Sequence, residues 1–529
     1  MLQKDAIVIG AGFAGMYMLH RLRQIGLSAT VFEAGTDVGG TWYWNRYPGA
    51  RCDVESLEYS YQFDEDLQQE WEWSERYSAQ PEILDYARHV ADRFALRDDI
   101  QFETRVQSAV YNEQTGLWAV TTGNGQRCEA RFVIAATGCL SVPNEPELPG
   151  KDRFTGEVYH TGRWPHQAVD FTGKRVGVIG TGSSAIQSIP LIAEQASQLT
   201  VFQRTPNYSV PAQNEPLSPE LVKRIKARYE DLRERNKLQV IGFGARHPRN
   251  DGFAMEMTDE QRETQFERHW QQGGLLFGAA FGDLFLDEEA NSLAADFVRR
   301  KIRDKVNDPD VAEKLSPDST IFCKRLCADT GYFETYNRNN VSLVDVNETP
   351  VESITERGLR TSDAEYEFDC LVYATGFDAM TGALARIDIR GREGRALKEK
   401  WQEGPKTYLG LETVGFPNFF MVTGPGSPSV LTNMLPSIEQ HVEFIADAIA
   451  YLRENDLCAI EPEQAAEDAW VEHVNEVAEG TLYPTCNSWY LGANIPGKPR
   501  VFLPLLGFPD YVAKCEEVVA QGYEGFKLS

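Results

Sequence analysis

A chain of 529 residues is long for one hydrophobic core and predicts two or three domains. Hydrophobic and charged contents of 42% and 25% are those of a soluble globular protein, and a net charge of −27 argues against nucleic acid or an anionic membrane surface as a partner. Nine scattered cysteines argue against a disulfide framework and for a reducing compartment; with no leader before Ala6 and no membrane-length apolar run, a cytoplasmic monomer is expected.

Ala6-Ile7-Val8-Ile9 reads as a strand. Gly10-Ala11-Gly12-Phe13-Ala14-Gly15 after it reads as the glycine-rich turn that sets a helix N-terminus against a pyrophosphate. Ala14, Met18, Leu19, Leu22 and Ile25 recur at helical spacing, Gly26 stands where a left-handed cap belongs, and Ala29 to Phe32 is the second strand. Glu33, twenty-three residues after Gly10, is the acid expected to take a ribose hydroxyl. An ordinary strand-to-helix junction would share these glycines, so one turn alone is a weak signal.

Gly39 to Asp53 carries Gly40, Thr41, Trp42, Tyr43, Trp44 and Tyr47 beside the charges Arg46, Arg51 and Asp53. Too mixed for strand or helix, it predicts a loop able to wall a planar ring, with a packed surface loop as the plainer reading. A disulfide-reducing flavoenzyme would place two close cysteines here, and only Cys52 is present. Alternation in Phe102 to Val106 and in Leu117 to Thr121 predicts a small antiparallel meander. Phe132 to Gly138 is a buried strand ending on Thr137-Gly138, an ending repeated at Thr375-Gly376, so the duplication covers whole domains.

The stretch Phe154-Thr155-Gly156-Glu157-Val158-Tyr159-His160-Thr161-Gly162-Arg163-Trp164-Pro165 reads as an irregular linker, and by itself His160 reads as a structural histidine. Val176 to Ile179 then leads into a second turn, Gly180-Thr181-Gly182-Ser183-Ser184-Ala185, with Thr200 to Phe202 as the returning strand. Gln203, again twenty-three residues on, replaces the acid, and Arg204 follows it. A guanidinium there suits a 2′-phosphate. Two turns at one spacing, one marked by an acid and one by an arginine, predict FAD and NADPH.

Residues 215–319 turn charged and helical, with Ser218-Pro219 as N-cap and first helical position. Lys324-Arg325 lies between Cys323 and Cys327, whose spacing reads as unpaired thiols and not as a metal site. Gly424 to Met434 is a loop, and Ser437 with Gln440 predicts a capping box opening a helix on Ile438, Val442, Ile445, Ile449 and Leu452. Trp489, in Asn487 to Lys498, reads as an exposed loop tryptophan suited to a lid, against a buried core residue.

The pattern Phe154-x-Gly156-x-x-x-His160-x-x-x-Trp164-Pro165 between two dinucleotide turns resembles the fingerprint of the type I Baeyer-Villiger monooxygenases, and Gly39 to Asp53 resembles their second signature. His166 departs from the pattern, where an acid or glycine is more usual. The resemblance implies an α/β fold of two Rossmann-like domains with parallel sheets and a helical insertion. It places FAD on residues 1–140 and 385–529, NADPH on 150–214 and 320–384, and the insertion at 215–319. It implies insertion of one oxygen atom of O2 beside a ketone carbonyl through a flavin C4a-peroxide, giving an ester or lactone. Arg325 is then the catalytic cation and Asp53 its partner. FAD would meet Gly10, Gly12, Phe13, Gly15, Glu33, Gly40, Thr41, Trp42, Trp44, Arg51, Asp53, Tyr59, Val106 and Met434. NADPH would meet Gly180, Thr181, Gly182, Ser183, Ser184, Gln187, Arg204, Thr205, Lys324, Arg325 and Trp489. Ser429, Val430 and Leu431 would line the ketone pocket, in a loop similar to that of members acting on arylketones, steroids or large rings. Two alternatives remain open: a flavin monooxygenase acting on nitrogen or sulfur, and a non-catalytic nucleotide sensor.

Overall fold

The computed structural model describes residues 2–502, 504, 505 and 507–529. Ala6, Ile7 and Val8 are fully buried, which is why the second half of this strand is apolar and does not alternate. Leu2–Ile9 lies between Ala29–Phe32 and Arg127–Ala135, parallel to both. Outward from Arg127–Ala135 run Leu117–Thr122, Val106–Asn112 and Asp388–Arg390, while Ile100–Gln101 closes the other edge beside Ala29–Phe32. Arg127–Ala135 changes partners along its length. Its first half runs antiparallel to Leu117–Thr122, and its last three residues take Phe419–Met421 as a parallel neighbour. The C-terminal part of the chain therefore returns to the first sheet, where helix Met434–Glu454 shares a core with helix Phe13–Gln24.

A second sheet is all parallel, in the order Val341–Asp345, Gln198–Gln203, Arg175–Ile179, Cys370–Tyr373, Glu157–His160. In both sheets the strand that ends on Thr-Gly lies beside the glycine-turn strand: Ala136 N–H donates to Ile9 O, and Ala374 N–H to Ile179 O. The chain thus has the duplicated parallel α/β architecture expected of it. Helices Asp259–Gln272 and Glu288–Lys305 join the second core, whereas Tyr229 and Leu232 of helix Tyr229–Lys237 join the first. Among the described residues no helix is long and apolar enough to cross a membrane.

Local expectations fare unevenly. Gly26 takes φ +75° at the end of its helix, and Ser218 Oγ accepts from Leu221 N–H, as their positions predict. Phe102 to Arg105 is not strand: Glu103 sits at φ +52°, and the amides of Glu103 and Thr104 turn back to Gly35 O and Glu33 O. The supposed linker contains an edge strand, Glu157–His160. Thr41–Trp44 forms one helical turn inside the aromatic loop. The helix assigned to a Ser437 cap starts earlier, because Asn433 caps Leu435 and Pro436 fits a first turn where its missing N–H costs nothing.

Glu412 stands out in the first core. It is 0% exposed, and neither carboxylate oxygen has a hydrogen-bond partner. Burial first, and then the Glu461 charge, raises its pKa well above the ordinary carboxylate value, so the folded protein holds a proton here that the unfolded chain releases near pH 4.3. Stability from this residue therefore falls as pH rises from that value toward the folded pKa, by about 1.4 kcal/mol per unit. Glu412→Gln should flatten the decline of the melting temperature between pH 5 and pH 8; an unchanged slope would refute a neutral Glu412.

Candidate active site

The two glycine turns share one geometry. Gly10 has φ +104°, and a Cβ there would stand 2.6 Å from Ala136 O; Gly180 has φ +113° and the same conflict with Ala374 O. A Cβ on Gly15 would collide with Gly10 O, and Gly40 closes on Gly12 Cα, so helix, turn and aromatic loop meet with no room for side chains. No side chain caps either helix, Phe13–Gln24 after Gly12 or Ser183–Gln195 after Gly182. Their first amides remain open to a pyrophosphate.

Beyond the turns the units differ. Buried Glu33 accepts from Ala11 N–H (2.7 Å) and Gly35 N–H (2.6 Å), and burial raises its pKa against the pull of those amides. Its carboxylate keeps lone pairs for ribose hydroxyls. At the matching place Gln203 is buried and spends its amide on Lys314 O (2.6 Å), leaving exposed Arg204 as the polar group at the strand end. Thr181 Oγ1 donates to Thr205 O (2.8 Å), tying this turn to the residue after Arg204. Lys324 faces Arg204: burial, then that neighbouring charge, lowers the lysine pKa. Neither cation forms a salt bridge among the described residues, although the charge of Asp318 reaches Lys324. Two neighbouring cations without a salt-bridge partner suit a phosphate.

The aromatic loop is tied to both units. Trp42 Nε1 donates to Tyr59 OH (3.1 Å), and Tyr59 meets Phe13 edge-on at 6.2 Å. From the second helix, Gln187 accepts from Tyr47 OH (2.8 Å) and donates to Arg51 O (3.1 Å), while Arg51 pairs with Glu75 at 3.0 Å. Next in the loop, Asp53 receives Arg325 through two parallel bonds, Nε to Oδ2 at 2.9 Å and Nη2 to Oδ1 at 3.0 Å. The third donor, Nη1, goes to Val430 O (2.9 Å). Burial works against this guanidinium and Asp53 outweighs it, so its pKa is raised and the charge is permanent.

Val430 and Leu431 pack with Cys139, Ala379, Met380 and Tyr490, with Leu140, Met434 and Trp489 at the edge. Ser429 is held at φ +44° with its hydroxyl on Thr423 O. Val106 lies buried at the start of its strand, in the core that backs the first turn. Trp489 is half-buried on Tyr490, ring centroids 4.3 Å apart, in place of the exposed tryptophan expected. The loop's far end is anchored by Asn494 to Phe377 O (2.8 Å) and by Lys498 to Asp378 and Ala379 O (2.7 Å each). Two tyrosines beside Arg325 escaped the sequence reading. Burial pushes the Tyr490 hydroxyl up to about 12 while Arg325 pulls it down, and Tyr483 feels the same cation. With Leu431 and Phe502 they line a small pocket.

The fingerprint residues hold the crossing between the units. His160 Nδ1 accepts from Gly162 N–H (3.0 Å), which places the ring proton on Nε2, facing Asn144 O and Thr375 Oγ1 at 3.3 Å each; burial lowers its pKa. Gly156 closes on the Phe154 ring and Asp369 O, and buried Trp164, before Pro165, stacks on Tyr159 at 5.2 Å. The expectation of unpaired thiols fails at Cys323, which is disulfide-bonded to Cys486, because the fold brings two distant segments together.

A family model described as Pyridine nucleotide-disulphide oxidoreductase matches residues 7–247. A Baeyer-Villiger monooxygenase of Pseudooceanicola batsensis is 44% identical over 525 residues, 98% of this chain and 95% of its own. The chain belongs to the Baeyer-Villiger monooxygenases. The structure of an oxidized steroid monooxygenase bound to NADP is 53% identical, covers 99% of both chains and superposes with TM-score 0.95. That of OTEMO in complex with FAD and NADP is 43% identical over 99% of both, with TM-score 0.96. A phenazine N-monooxygenase of Lysobacter antibioticus is 43% identical over 99% of this chain and 97% of its own. The disulphide in the family model's description has no counterpart in this Baeyer-Villiger loop, where Cys52 is buried and unbonded.

Proposed function

We propose that this chain is an FAD- and NADPH-dependent Baeyer-Villiger monooxygenase that inserts one atom of O2 beside a ketone carbonyl to give an ester or lactone. The observation that carries the reading is the two-bond Asp53–Arg325 pair, fixed against Val430 O at the meeting of both nucleotide units. When bound, FAD would supply the redox and oxygen-activating chemistry, with NADPH as reductant. Everything else falls to the chain. Gly10, Gly12, Phe13, Gly15 and Glu33 cradle the FAD diphosphate and ribose, with Gly40, Thr41, Trp42, Trp44, Arg51, Tyr59, Val106 and Met434 around the rest. Gly180 to Ser184 and Gln187 receive the NADPH diphosphate, and Arg204, Thr205 and Lys324 its 2′-phosphate. Arg325 supplies a preorganised cation to the negative charge that develops on oxygen as the ketone is attacked, and Asp53 holds it in place. Ser429, Val430, Leu431 and the lid at Trp489 shape and dry the pocket. FAD belongs to residues 1–140 and 385–529, NADPH to 150–214 and 320–384, with 215–319 as insertion. A cytoplasmic monomer without a nucleic-acid partner accords with the charge of −27 and with a need for NADPH.

The phenazine N-monooxygenase supports a second reading, oxygenation of nitrogen, which needs no cation at a carbonyl oxygen. A panel of cyclic, linear and aromatic ketones, with an N-heteroaromatic and a sulfide alongside, separates the two when ester and NADPH are measured in one vessel. Ester from at least one ketone is expected; N-oxide without ester from any ketone would overturn the proposal.

A further inference from the structure

The disulfide between Cys323 and Cys486 has its Cα atoms 5.4 Å apart and spans a sequence separation of 163 residues. Each partner borders working residues: Cys323 immediately precedes Lys324-Arg325, and Cys486 immediately precedes the loop of Trp489 and Tyr490. The described side-chain anchors of that loop to residues 377–379 grip its far half, at Asn494 and Lys498. At the near end the bond to Cys323 is a covalent tie to the segment of the catalytic cation. The pair packs on Leu491, with Tyr483 and Phe502 at its edge, and both sulfur-bearing residues line a shallow depression with Phe285, Asn291 and Thr320.

We propose that Cys323–Cys486 is a redox-reversible staple that, while oxidised, holds the lid at Trp489 and Tyr490 over Arg325 and keeps NADPH consumption coupled to ester formation. This rests on the monooxygenase reading above. In reduction, a dithiol's thiolate attacks one sulfur and expels the other as a thiolate, which takes a proton. The reagent's second thiol then displaces the first protein sulfur, leaving two protein thiols and a cyclic disulfide. In re-oxidation, one thiolate attacks hydrogen peroxide, giving a sulfenic acid and hydroxide, which takes a proton to become water. The second thiol displaces the sulfenic oxygen as water, so two thiols and one peroxide yield the disulfide and two waters. Peroxide that escapes from uncoupled turnover would thereby re-form the staple that limits its escape.

The test uses full-length holoenzyme after air oxidation. Alkylation and peptide mass mapping without reduction should find residues 323 and 486 in one cross-linked species. Dithiothreitol treatment followed by desalting should release it. Hydrogen peroxide formed per NADPH should then rise severalfold and ester per NADPH fall, with flavin content and flavin reduction rate unchanged. Re-oxidation should restore coupling. Cys486→Ser should be uncoupled from the start and indifferent to dithiothreitol. Should that variant fail to fold, the wild-type reduction cycle decides alone. Free, alkylated cysteines in the air-oxidised protein, or equal coupling before and after reduction, would overturn the staple while leaving ester formation, and so the reading beneath it, intact. Absence of ester in every redox state would overturn both.

Discussion

Arg325→Ala is expected to keep consuming NADPH while ester formation falls at least a hundredfold. Hydride delivery requires two nucleotides held in register, and no cation at the carbonyl. Attack on the ketone requires charge to be stabilised on oxygen in a site from which water is excluded, where a fixed dipole or charge is worth most. Removing one such preorganised group costs about 2.7 to 4 kcal/mol, which corresponds to the loss expected. Arg325 forms two bonds to Asp53 and a third to Val430 O, so its orientation is set by the loop on one side and the pocket wall on the other. Arg325→Lys should not fully rescue, because one ammonium cannot satisfy two carboxylate oxygens and a carbonyl in the same plane. The measurement is ester beside NADPH consumed, with flavin content verified. Near wild-type ester per NADPH in Arg325→Ala would remove this residue from the centre of the mechanism.

The second large effect concerns nucleotide choice. Arg204→Ala and Lys324→Ala should each raise the apparent KM for NADPH by roughly tenfold to a hundredfold, the weight of one charge-assisted contact of about 1.5 to 3 kcal/mol. The KM for NADH should scarcely move, since it carries no 2′-phosphate. The structure supplies the reason for a specific effect: burial and then the Arg204 charge disfavour the Lys324 ammonium, Asp318 offsets them only in part, and an arriving anion relieves the repulsion. Since burial and Arg204 lower the Lys324 pKa, the KM for NADPH should also climb with alkaline pH sooner than an ordinary lysine dictates, a trend lost in Lys324→Ala. Equal weakening of NADPH and NADH would show that these residues do not read the phosphate.

Much of this was legible in the chain because it depends on local spacing. A strand, a turn and a helix of set length carry Glu33 and Gln203 to matching places, and the glycines at 10 and 180 occupy backbone that a side chain would block. Asp53 and Arg325 were paired through a resemblance alone; they lie 272 residues apart and no periodicity links them. Tyr483 and Tyr490 left no signal for the same reason, since a tyrosine in a loop looks alike whether it faces solvent or a cation. Nine scattered cysteines speak against a framework but say nothing against a single bonded pair, and Cys323 and Cys486, 163 residues apart, meet only through the fold. Where propensity competed with tertiary context, context prevailed. Glu157–His160 became an edge strand despite flanking glycines, and Phe102 to Arg105 gave up an alternating pattern to cradle the backbone at Glu33.

The strand Arg127–Ala135 gains its parallel neighbour Phe419–Met421 only after residues 136–418 have passed. A chain emerging from the ribosome can therefore build the entire second sheet while the first still shows an unpaired edge at Val133, Ile134 and Ala135. The half that begins the polypeptide is the last to be finished, and through that interval its apolar edge is open to pairing with other nascent chains.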